Sequence, residues 1–338
     1  NDNKRNKMNN FKKVGLTALA GSLAAISANA AEMSVSGATL LTYTSGDKTE
    51  TTGNQWGMKT NLGFTASGEV NGYTVSYMQT SKDQFAGMSS ARLSIDMGDM
   101  GTLAFDQGSG SGLGTIDDKT PTAAEEIWDG IDTDGSSGAN GLVGIAGASG
   151  VWNYVNTFGG ITFNGALRTG AGTKNTDGAS SGGAADNNTA YDFALTTDGS
   201  ALGLDGISMG AGYGTKDTGS SGNEAGDDEH YTAFVNYSVG MVTVGGQMSE
   251  LNKGAADTAS QNVTAWGIAM NVNDNLSVSY GERDVEFDKP GVATSVTEKG
   301  EGIAVAYTMG SIKIAGNRNS VSNNGGTTGS SDEMTEIA

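Results

Sequence analysis

The chain has 338 residues, of which 54 are glycine, 2 are proline and none is cysteine, with 36% hydrophobic residues and a formal net charge of −19. A compact soluble domain carries about 45–50% apolar residues with glycine counted among them at only about 7%, whereas 54 of 338 residues here are glycine, so much of the apolar share brings no side chain and the material for a thick core is missing. Absent cysteine removes disulfides, thiolate metal sites and thiol nucleophiles, and a single histidine, His230, leaves no multi-histidine metal cluster to build.

In chain order, residues 1–7 precede a segment that reads as a secretory signal over residues 8–30. Lys12 and Lys13 lead an apolar run from Val14 to Ile26, and Ala28-Asn29-Ala30 supplies a small-residue cleavage site. The run is shorter than the about 20 residues that a membrane-spanning helix needs, and no later stretch is long and apolar enough. The mature chain is therefore expected to run from 31 to 338. Removing the first thirty residues takes away five bases and one acid, leaving 14 bases against 37 acids and a net charge of −23. Such a surface excludes nucleic acid as a partner, because phosphate binding needs basic residues.

From Met33 onward the apolar residues alternate with polar ones. Met33, Val35, Leu41 and Tyr43 form the first run, Trp56, Met58, Leu62 and Phe64 the second, and Tyr73, Val75 and Tyr77 the third. Period two marks strands with one apolar and one polar face. The pattern recurs through Tyr307, Ile312 and Ile314 to a last fragment from Met334 to Ala338, giving sixteen strands. Short Gly, Asn and Asp turns, such as Gly68 to Gly72 and Phe158-Gly159-Gly160, alternate with long polar connections such as 169–188 and 215–229. An open sheet of this size leaves edges and an apolar face in water. Closing it within a membrane pairs every backbone group and turns the apolar face to lipid. The fold class is thus all-β, a transmembrane antiparallel up-and-down barrel of 16 strands whose polar face lines a wet lumen. Glycines inside strands, such as Gly63, Gly165, Gly246 and Gly267, are tolerated because a wall need not fill a volume at every position.

Basic residues facing mid-bilayer lipid cost about 2–4 kcal/mol, and Lys59, Arg92, Arg168, Arg283 and Lys313 all fall on the lumen phase of their strands. These are the candidate wall charges that steer ions. Opposite them stands one exceptional connection, residues 108–150, far longer than a hairpin loop. A sixteen-stranded barrel leaves an aqueous channel, so selectivity needs something folded into it. Ile127 and Trp128 are the expected anchors of this loop on the inner wall, holding Asp117, Asp118, Glu125, Glu126, Asp129, Asp132 and Asp134 towards the passage. Thr122 with Glu125 matches a capping box and Gly130 a stop, so a short helical turn is expected between them. The acidic balance predicts weak cation preference.

The order of the signal, the strand from Met33, Gly98-Asp99-Met100-Gly101-Thr102-Leu103-Ala104-Phe105, Pro121-Thr122-Ala123-Ala124-Glu125-Glu126-Ile127-Trp128 and Phe158-Gly159-Gly160-Ile161-Thr162-Phe163 resembles the general diffusion porins of Gram-negative bacteria, most of all those of alphaproteobacteria. The resemblance implies a homotrimer in the outer membrane with the third loop as constriction. It also implies outer-membrane lipid, lipopolysaccharide and the barrel-assembly machinery as partners, small hydrophilic solutes as cargo, and no cofactor. That family ends in an aromatic residue, whereas this sequence stops at Ile337-Ala338, so the last strand is expected to be cut short.

Two other classes compete. A secreted, acidic, calcium-dependent β-rich adhesin or surface-layer protein accounts for the Gly, Asp and Asn content, but Asp132-Thr133-Asp134-Gly135 lacks the flanking ligands of a calcium loop and no nine-residue repeat occurs. Ca2+ or Mg2+ bridging the acidic loops remains compatible with a channel. An enzyme would need a catalytic couple, and neighbours such as Glu125 and Glu126 point in different directions on a helix. His230 lies in an acidic stretch and is expected at a solvent-facing strand end.

Overall fold

The computed structural model describes residues 32–46, 54–82, 87–129, 131, 145, 149–170, 189–217, 226–254, 260–288 and 296–338. The expected signal at 8–30 and residues 1–7 lie outside them. The strands are β1 (Glu32–Gly46), β2 (Trp56–Val70), β3 (Tyr73–Ser81), β4 (Met88–Asp96), β5 (Thr102–Phe105), β6 (Val151–Phe158), β7 (Ile161–Arg168) and β8 (Ala190–Thr197). They continue with β9 (Ile207–Lys216), β10 (Asp228–Val239), β11 (Val242–Asn252), β12 (Ser260–Asn271), β13 (Leu276–Asp288), β14 (Glu298–Met309), β15 (Ile312–Ser322) and β16 (Ser331–Ile337).

Among the described residues these sixteen strands form one sheet, each antiparallel to its sequence neighbours, and β16 returns to β1 to close a barrel. This is the predicted architecture. The closing ladder covers four pairs, Tyr43 opposite Ile337 to Gly46 opposite Met334, next to the first long connection. Asn71-Gly72 and Gly159-Gly160 make two of the tight turns with positive φ at both residues, the geometry that matches strand twist. Among the described residues no helix is long and apolar enough to cross a membrane.

Several strands run further than the hydrophobic alternation. On β13 the outer residues Leu276, Val278 and Tyr280 are followed by Glu282, Asp284 and Glu286, and pairing continues to Val285 on the β14 side and to Asp288 on the β12 side. The backbone pairing needs no apolar side chains once the strand leaves the lipid, so the apolar signal stops before the strand does. Lys299 and Arg318 lie on this charged upper part of the outer face, 3.6 Å from Asp284 and 3.2 Å from Glu333. Such exposed pairs contribute little to stability.

The barrel is inside-out relative to a soluble protein. On β8 the outer Tyr191, Phe193 and Leu195 are exposed while the inner Ala190, Asp192 and Ala194 are buried. The buried apolar side chains sit in small clusters inside the barrel, one of them Leu113, Ile116 and Ala194 with Phe234 packed against it. His230 departs from expectation. The register turns it inward on β10, opposite Gly214 and Leu251, where it is fully buried rather than at a solvent-facing strand end.

Candidate pore constriction

The long connection after β5 folds into the barrel and follows the inner wall. It begins at Asp106, and the backbone N–H groups of Gly112 and Leu113 donate to the Asp192 carboxylate on β8 at 2.7 and 3.4 Å. A charged acceptor makes these bonds stronger than neutral ones. Leu113 and Ile116 then pack into the space left by Gly212 on β9; a Cβ there would stand 2.8 Å from Leu113 Cδ2. On β11, Gln247 Nε2 donates to the carbonyls of Ile116 and Asp117 at 2.6 and 3.1 Å, and its Oε1 accepts the Lys119 N–H at 2.7 Å. Asn236 on β10 donates to the Lys119 carbonyl at 2.7 Å.

Further along, Pro121 crosses directly over Gly267 on β12, where a Cβ would lie 2.6 Å from the Pro121 carbonyl oxygen. Gly267 is therefore required by a close approach of the loop backbone, a stronger reason than the tolerance of wall packing. Ser279 Oγ on β13 accepts the Ala123 N–H at 2.9 Å. Ile127 lies against Gly281 and Gly302, and Asn319 on β15 donates to the carbonyls of Glu126 and Asp129 at 3.0 and 2.9 Å. Trp128 sits 5.4 Å from the guanidinium of Arg283.

The expected helical turn between Thr122 and Gly130 does not form in the described part. Thr122 Oγ1 accepts the Ala124 N–H at 3.3 Å and donates to the Glu125 carbonyl at 2.7 Å, and Asp129 N–H closes a single turn on Glu126. The Glu125 carbonyl, which an α-helix would pair with the Asp129 N–H, is taken by the Thr122 hydroxyl, while Ser279 and Asn319 fix the segment to the wall at groups that helix ends leave free. The 3-10 turns among the loop's described residues lie earlier, at Gln107–Ser109 and Leu113–Thr115.

Of the predicted loop acids, Asp132 and Asp134 lie outside the described residues, as does Gly130. Asp117 lines a cavity of about 400 Å³ together with Arg92, Asn153 and Asn164, between the loop and the inner faces of β4 to β7. This brings one acid and one wall base to the same space. Asp118 hydrogen-bonds to both Asp117 and Glu126, and burial together with this neighbour pushes Asp117 up to about 6 and Glu126 up to about 7. Burial, with Glu125 and Glu336 nearby, also raises Asp129. Glu125 is exposed.

The five predicted wall bases separate. Lys59 is exposed and lines a second space of about 940 Å³ with Asn61, Thr65, Thr80 and Lys82, on the wall the loop leaves bare. Arg168 is at the long-connection end of β7, opposite Val151 and Ala190. Lys313 stands at the other end, opposite Thr308 and beside the short turn between β14 and β15. Arg283 is a correction: it faces inward but is only 4% exposed and pairs with Glu298, itself 1% exposed, at 3.0 Å. Trp128 and this partner seal it off, so it cannot act as a free wall charge.

The wall residues that hold the loop, Asp192, Asn236, Gln247 and Asn319, were absent from the sequence-based set. Their partners lie 79 to 193 positions away, and no local spacing connects them. A signal does exist: Asp and Asn are depleted in strands, so such a residue on an inner face calls for a polar partner.

Comparisons with known proteins agree with this geometry. A family model described as Gram-negative porin matches residues 15–335. No curated protein sequence matches. Among solved structures, a mutant of the Rh. blastica porin is 12% identical, with 90% of this chain and 98% of that chain covered and a TM-score of 0.60. OmpT of Vibrio cholerae is 12% identical, with 92% and 97% covered and a TM-score of 0.63. Salmonella typhi OmpF in complex with daunomycin is 12% identical, with 92% and 98% covered and a TM-score of 0.59. These likenesses establish a shared fold.

Proposed function

Since the chain belongs to the Gram-negative porin family, we propose that it forms a passive, water-filled channel for small hydrophilic solutes and ions, with weak cation preference and no enzymatic activity. It is a β-barrel protein of the outer membrane. The observation that carries the reading is the path of the long loop, which lies along the inner wall from β8 to β15 and sets Asp117 facing the same cavity as Arg92. Acids on one side and a base on the other give a field across the narrowed passage, and a water-lined constriction favours polar solutes over apolar ones.

In this reading residues 8–30 are the export signal, and loop 108–150 is the constriction. The working unit is a homotrimer surrounded by outer-membrane lipid and lipopolysaccharide and inserted by the barrel-assembly machinery. Asp117, Asp118, Glu125, Glu126 and Asp129 supply the cation preference, with Lys59, Arg92, Arg168 and Lys313 as opposing wall charges. The divalent ions that the acidic loops are suited to bridge are accessory to this role.

The experiment is reversal potential under a KCl gradient in planar bilayers, recorded as a function of pH. Carboxyls shifted upward bind protons earlier than ordinary ones as pH falls. Cation preference is therefore expected to be full near pH 8 and to drop between about pH 7 and pH 5.5, well above the usual carboxylate range near 4. Stability runs the opposite way: with the folded-state values of Asp117 and Glu126 raised, the loop is held best below the unfolded values, and that stabilisation fades as pH rises through 6 to 7. Anion preference at pH 8, or a reversal potential flat down to pH 4.5, would show that these acids do not face the passage; no conductance at all would refute the channel.

A further inference from the structure

We propose that Gln247 is a positioning residue for ion selectivity: it fixes Asp117 on the passage side of the loop without neutralising it. The inference rests on the reading of Asp117 as a selectivity acid. Three hydrogen bonds from one side chain bracket the Asp117-Asp118 pair, at the carbonyls of Ile116 and Asp117 and at the N–H of Lys119. Both amide hydrogens and the amide oxygen are used, so the side chain has one orientation. Gln247 is 4% exposed, and each partner it left unpaired at depth would carry the desolvation cost of a buried polar group.

The chemistry of the amide matters as much as its reach. A lysine or arginine at this position would pair with the neighbouring carboxylates and cancel the field, and an aspartate or glutamate would repel the two carbonyls. A neutral group with both donors and an acceptor is the one type that grips the backbone and leaves the acid's charge intact. Its neighbours fit the same purpose. Phe234, directly opposite on β10, belongs to the apolar cluster that holds Ile116, and Ala265 on β12 is small enough to leave the amide free. Asn236 secures the other side of Lys119 from β10. The backbone is thus clamped on both sides of Asp117, which lines one cavity with Arg92.

The test is a double-mutant cycle on the K+/Cl− permeability ratio in planar bilayers, with folding of each barrel checked by its heat-dependent gel mobility. Gln247→Met keeps the side-chain length and removes all three bonds. Moving a charge from about 4 to about 8 Å from a passing ion weakens their attraction in water enough for a roughly twofold change in occupancy. Gln247→Met should accordingly lower the ratio roughly twofold towards unity, Asp117→Asn should lower it at least as far, and the double variant should match Asp117→Asn alone. Asn236→Ala, which removes one bond and keeps Gln247, should shift the ratio the same way by less, and it decides the matter if Gln247→Met fails to fold. A wild-type ratio in the folded Gln247 or Asn236 variant, or an equal further drop in the Asp117→Asn background, would overturn the proposal. A wild-type ratio in Asp117→Asn itself would instead overturn the reading of Asp117 on which it rests.

Discussion

Burial alternates residue by residue on β8 from Ala190 to Leu195 and on β14 from Gly302 to Tyr307, inner side chains sealed and outer ones exposed, whereas β1 from Glu32 to Leu41 is exposed on both faces. The backbone pattern of the two walls is the same. What differs is the inner lining. Under the loop it is made of Gly212, Gly267, Gly281 and Gly302 with the amides of Asn236, Gln247 and Asn319. On the bare wall it is made of residues such as Ser36, Lys59, Asn61, Thr65 and Lys82 around open space. The lesson is that a barrel wall can be built either to hold its own chain or to hold water. Small residues admit a backbone to contact distance and amides bind it, while hydroxyls and ammonium groups stay hydrated.

The sharpest way to break the covered wall is through its buried charges. Arg283→Met leaves Glu298 charged and buried and removes the contact with Trp128. Removing one partner of a buried pair costs about 3–5 kcal/mol, so the denaturation midpoint in detergent should fall substantially, and replacing both residues with apolar ones should recover most of it. An unchanged midpoint for Arg283→Met would mean that water reaches the pair. A smaller effect is expected from Gly267→Ala. Its methyl meets the Pro121 carbonyl, which is backbone and cannot swing aside, and overpacking of this kind costs about 1–3 kcal/mol. The loop should move into the passage, lowering single-channel conductance while the barrel still folds; undiminished conductance would show that the loop is not the narrowest point. The smallest effect belongs to the bare wall. Lys59→Gln removes an exposed charge with no packing role, so stability should stay unchanged and cation preference rise slightly, a change read from the reversal potential and expected to vanish at 1 M salt, where the Debye length is about 3 Å.

Much of the architecture was legible from local pattern. Alternation located all sixteen strands, because each side chain's environment in a wall depends on parity alone, and the turn at Asn71-Gly72 announced itself by residues that accept positive φ. The inward fold of the long loop followed from its length and from the width of the barrel. The details of that fold were not legible. Thr122 to Gly130 carried a good local helix signal, yet the Thr122 hydroxyl took the Glu125 carbonyl and wall groups more than a hundred positions away fixed the segment near its two ends. Arg283 had the parity of a pore-lining base, yet its neighbour Glu298 and the tryptophan of the loop enclosed it.

The sequence by itself determined that this chain closes into a strand cylinder with a wet interior, since parity, turn residues and a deficit of core-forming side chains are all local properties of consecutive residues. Only the tertiary structure decided which face of the lumen is covered and which is open. That choice depends on contacts such as Asp192 with Gly112 and Gln247 with Asp117, and a hydrogen bond between residues 80 or 130 positions apart leaves no trace in the spacing of either segment.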